Sequence, residues 1–149
     1  MNIRETYQMY LDAPYYRRVV LGKECVQEIM SYMVSQFKQV KNSKGQEEDA
    51  SLITLIGALR RFIGADGNFN QDEYEFLNDI FETNFDYDKM LKMLNNDFFR
   101  SYKTANTLGA MLDYAPDEVR YAFIRLGLLI CVADGTLTVD EQRAIEKMR

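Results

Sequence analysis

The chain has 149 residues, 47% of them hydrophobic, enough for one domain with a full core and too apolar for a disordered chain. Its net charge is −5 and its pI about 4.8, so it lacks the overall basic footprint on which non-specific nucleic-acid binding rests. There is no histidine, which removes the usual general base near neutral pH, and two cysteines are too few for a disulfide framework.

Residues 1–12 read as a short helix or arm, with Ile3, Tyr7, Tyr10 and Leu11 on one side. The start, Met1 to Thr6, is polar and gives no secretory leader, so a cytoplasmic home is expected. Asp12 and Pro14 mark a break and a new helix start, since proline fits a first helical turn. From Tyr15 to about Lys41 apolar residues recur at helical spacing: Val19, Val26, Ile29, Met30, Met33, Val34 and Phe37. Gly22 interrupts this pattern and is expected to weaken or bend the helix. Cys25 is expected to be a buried free thiol.

The run Asn42 to Glu48 is polar with a glycine and reads as a loop. A helix then runs from Asp49 or Ser51 to about Gly64, with Leu52, Leu55, Ile56, Leu59, Phe62 and Ile63 on its inner face. Ala65-Asp66-Gly67 ends it, glycine supplying the left-handed turn. Asn70 with Glu73 three residues on is a capping-box spacing, opening a helix through Tyr74, Phe76, Leu77, Ile80 and Phe81. Asp86 caps a shorter helix holding Met90, Leu91, Met93 and Leu94, and Phe98 to Tyr114 is a less regular one. Ala115-Pro116-Asp117-Glu118 opens the most apolar helix, ending at Ala133, with Cys131 inside its apolar run. No segment reaches the ~20 apolar residues of a membrane span. The fold class expected is all-α, a compact bundle of about 6–8 helices forming a single domain over 1–149.

One feature repeats. With residue 66 set over residue 134, an offset of 68 positions, Ala65 to Glu73 lies over Ala133 to Glu141. Alanine, aspartate, glycine and the later aspartate–glutamate pair are identical in the two copies. Phe69 pairs with Leu137, and Asn70 pairs with Thr138, another capping residue. The match runs outward through Phe62 with Ile130, Ile56 with Ile124 and Leu77 with Ile145. Two pseudo-symmetric helix–Ala-Asp-Gly–helix repeats follow, centred on 65–73 and 133–141.

Folding accounts for most of the motif: glycine turns the chain, Asn70 or Thr138 caps, and Glu73 or Glu141 reaches back to the cap. Asp66 and Asp134 are not required for the turn. Two roles stay open for them, a local hydrogen bond to the turn's amides or metal ligation. An EF-hand is excluded, because Gln71 stands where its glycine belongs and Leu77 where its bidentate glutamate belongs, with Val139 and Ile145 in the second copy.

The duplicated Ala-Asp-Gly, spacer, cap and glutamate pattern, each time after an apolar helix, resembles the TerB-like family of tellurite-resistance proteins over about Asp49 to Arg149. The same domain occurs in a membrane-associated J-domain co-chaperone. The resemblance implies a compact pseudo-symmetric helical domain, no established enzymatic activity and a role in stress or envelope functions. It also implies acidic helix ends that bind a divalent metal. Carried over, the ligands would be Asp66, Glu73, Asp134 and Glu141, with Asp72 and Asp140 near enough to assist. Oxygen donors without histidine suit Ca²⁺, Mg²⁺ or Mn²⁺.

The residues themselves support two functions. One is weak divalent-cation binding by these helix ends, set against an ordinary solvated and capped acidic helix. The other is a protein–protein or self-association surface, from Tyr7, Tyr10, Tyr15 and Tyr16 interleaved with Arg17 and Arg18. Its competitor is plain core packing with amphipathic side chains reaching water. Catalysis is the weakest reading, since no nucleophile elbow or phosphate-binding glycine loop occurs.

Overall fold

The structure is a computed structural model that describes residues 2–37, 70–88, 90–91, 115–134 and 142–143. Four helices order this part of the chain: α1 (Ile3–Asp12), α2 (Tyr15–Phe37), α3 (Gln71–Phe81) and α4 (Asp117–Asp134). There is no strand among the described residues, so the fold class is all-α. The expected helix over 49–64, the turn at 65–67 and the helix over 98–114 lie outside the described residues, as do most of the second repeat and the loop at 42–48.

α1 starts where a side chain can cap it: Asn2 Oδ1 accepts from the Glu5 N–H at 3.0 Å. It stops at Asp12 because Ala13 precedes proline, and a residue before proline is pushed out of the helical region; Ala13 sits at φ −76, ψ 145. Pro14 then opens α2, its carbonyl accepting from the N–H groups of Arg17 (3.0 Å) and Arg18 (3.1 Å). α4 opens in the same way: Pro116, again after an alanine, accepts from Val119 (3.0 Å) and Arg120 (3.2 Å). Both prolines of the chain therefore stand where a missing N–H costs nothing.

α4 is the central element. Ala122, Phe123, Ile124, Leu126, Leu128, Leu129, Ile130, Cys131 and Val132 are all buried, as so apolar a run must be, while Tyr121 stays exposed. α1, α2 and α3 all pack on it. α1 contributes Ile3 and Tyr10, seven residues apart on one face, α2 contributes Cys25 and Ile29, and α3 contributes Phe76, Leu77 and Ile80.

Gly22 has a packing role that periodicity does not show. Besides any local weakening, it makes a close approach possible: a Cβ there would lie 2.6 Å from Ile80 Cγ2 and 3.4 Å from Phe76 Cζ. α2 runs unbroken through it, from Tyr15 to Phe37. Only a residue without a side chain lets α3 sit this close.

α3 carries the expected capping box. Glu73 N–H donates to Asn70 Oδ1 at 2.8 Å, and Asn70 N–H donates back to Glu73 Oε1 at 3.5 Å. The helix ends on Glu82 at φ 56, ψ 44, a left-handed residue usually glycine at such a site. The segment after it folds back onto the helix. Tyr74 Oη–H (2.8 Å) and Asn78 Nδ2–H (2.9 Å) both donate to the Phe85 carbonyl, and Thr83 Oγ1–H donates to Asn78 Oδ1 at 2.7 Å. The expected helix start at Asp86 is present: its carbonyl accepts from Met90 N–H at 3.0 Å.

Candidate functional site: the α2–α3 edge and the acidic helix start

The residues proposed as metal ligands fall unevenly on the structure. Glu73 lies in the first turn of α3 and is 0% exposed, one carboxylate oxygen held by the Asn70 amide. Asp72 beside it is exposed. Asp134 is the last residue of α4, with its side chain outside the described set, and Asp66, Asp140 and Glu141 also lie outside it. Among the described residues no three acidic or cysteine side chains converge to hold a metal. The structure therefore supplies the cap around Glu73.

A different constellation stands at the start of α2. Tyr15 Oη–H donates to Asp79 Oδ2 on α3, its ring meets the Phe76 ring edge-on at 6.4 Å, and the Arg18 guanidinium lies over it at 5.7 Å. Burial first, then the hydrogen bond and negative charge of Asp79, push the Tyr15 hydroxyl well above its ordinary range; Glu75 adds to this and Arg18 opposes it. Arg18 Nε is buried with no hydrogen-bond partner among the described residues.

Outward from this tie the surface changes character. Tyr16 is 72% exposed, and Val20, one turn on, is 41% exposed on the same side of α2. Arg17 is also exposed, on the next side of the helix, and α2 has no acidic residue in its first turn. The neighbouring face of α3 is the opposite. Asp72, Glu75, Asp79 and Glu82 fall on one line of the helix and all are exposed. Lys23 meets Glu82 at 3.3 Å, so α2 and α3 share one edge along this line.

No protein-family model matches the chain, and no curated protein or solved structure matches it either. The chemistry of the edge must be read from its own residues.

The four tyrosines grouped by the sequence separate in space. Tyr10 is buried and belongs to the core, Tyr7 is half-buried against it, Tyr15 is tied to α3, and Tyr16 alone is largely in water. The tie between Tyr15 and Asp79, 64 positions apart, leaves no trace in local pattern.

Both cysteines are buried thiols outside any disulfide, as their apolar surroundings imply. Burial pushes the Cys25 thiol up to about 11; Arg125 opposes that shift, and Glu28 and Glu24 add to it. A thiol held this high stays protonated near neutral pH and is a poor nucleophile. Arg125 Nη2 lies 4.0 Å from Glu28 Oε2 just outside this pocket. No helix of the described residues is long and apolar enough to cross a membrane.

Proposed function

We propose that the chain is a non-enzymatic helical module that works by docking another protein, through the edge at the start of α2. The observation that carries this is Tyr16, 72% exposed beside Arg17 and one turn from the exposed Val20. An aromatic ring and a guanidinium in water on a rigid helix form the pairing enriched in interface hot spots. The edge is anchored to α3, since Tyr15 is bonded across to Asp79 and set edge-on against Phe76. The duplicated Ala-Asp-Gly motif supports a TerB-like bundle of about 6–8 helices around it, with a cytoplasmic, stress-linked role as its context.

Replacing Tyr16 and Val20 with serine tests the reading. Affinity capture from the source cells by the tagged chain should retain a specific protein that the double variant loses, with melting temperature unchanged. Equal capture by both would end the proposal.

A second reading rests on the duplicated acids. Asp66, Glu73, Asp134 and Glu141, assisted by Asp72 and Asp140, would take Ca²⁺, Mg²⁺ or Mn²⁺ weakly at the helix ends. The burial of Glu73 supports a carboxylate held in one orientation, while its capping bond occupies one of the two oxygens a cation needs. Calorimetric titration with Ca²⁺ and Mn²⁺ decides between them. Absence of heat, or heat unaltered in Asp66→Asn/Asp134→Asn, would remove the metal reading.

A further inference from the structure

We draw no further inference here: the strongest candidate, the exposed apolar patch of Tyr16 and Val20 at the start of α2 beside the acidic line of α3, belongs to the docking edge already described, and nothing in the structure shows what covers it.

Discussion

Gly22 and Ile80 touch so closely that no side chain fits between them: a Cβ on Gly22 would fall 2.6 Å from Ile80 Cγ2. That methyl is attached at the Ile80 Cβ, so it cannot swing aside as the end of a long chain would. Gly22→Ala should therefore destabilise the fold by about 1–3 kcal/mol through overpacking, less the ~1 kcal/mol that alanine gains over glycine in a helix. The cost should shrink in an Ile80→Ala background, which removes the clashing methyl. Denaturant unfolding of the four proteins of the cycle measures this; additive effects would contradict the contact.

Glu82 adopts the left-handed conformation at the end of α3, with φ 56. A side chain there carries a steric penalty that glycine avoids. Glu82→Gly should stabilise the fold by roughly 0.5–1 kcal/mol, after losing an exposed ion pair with Lys23 worth no more than about 0.5 kcal/mol. A lower denaturation midpoint in this variant would show that the end of α3 is held otherwise.

The capping box of α3 predicts an ordered pair of effects. Asn70→Ala should cost about 1 kcal/mol, by leaving the Glu73 amide without its acceptor. Glu73→Gln keeps an acceptor for the Asn70 amide and should cost less than Glu73→Ala, which empties a fully buried site. Equal losses for the two Glu73 variants would mean that its carbonyl-type oxygen does not cap.

The Tyr15 hydroxyl bonds α2 to α3 at an exposed carboxylate. Tyr15→Phe keeps the ring on Phe76 and should cost about 1 kcal/mol, while Tyr15→Ala should cost clearly more. Absorbance titration of the tyrosines should show one that ionises late in the wild type, and that lag should shorten in Asp79→Asn.

Cys25 sets an alkaline limit. Its folded thiol ionises at about 11, above the ordinary range of roughly 8–9 for the unfolded chain. Below that range both states hold the proton and the full stability is present. Above it the unfolded thiol ionises first, so stability falls with pH until the folded thiol also ionises near 11. Tyr10, raised first by burial, acts in the same direction at higher pH. Cys25→Ala should flatten the decline between pH about 9 and 11 in unfolding experiments. Alkylation of native protein at pH 8 should be slow at this residue.

Local chemistry made much of the helical part legible in advance. Pro14 and Pro116 announced two helix starts, because a ring without an N–H belongs there; the described helices begin at Tyr15 and Asp117. Asn70 and Glu73 announced the cap of α3, three residues apart as the geometry requires. The apolar run from Leu126 to Ala133 announced the central helix. Each of these depends on residues within a turn or two of one another.

What the chain alone could not decide lies between elements. Gly22 read as a flaw in a helix until Ile80 was placed against it, and Tyr15 read as one of four like tyrosines until Asp79 took its hydroxyl. Nor did composition distinguish Tyr10, which is core, from Tyr16, which is surface. Periodicity states which residues share a face but not which face meets a neighbour. That choice belongs to packing, where helices far apart in sequence settle at the distance their side chains allow.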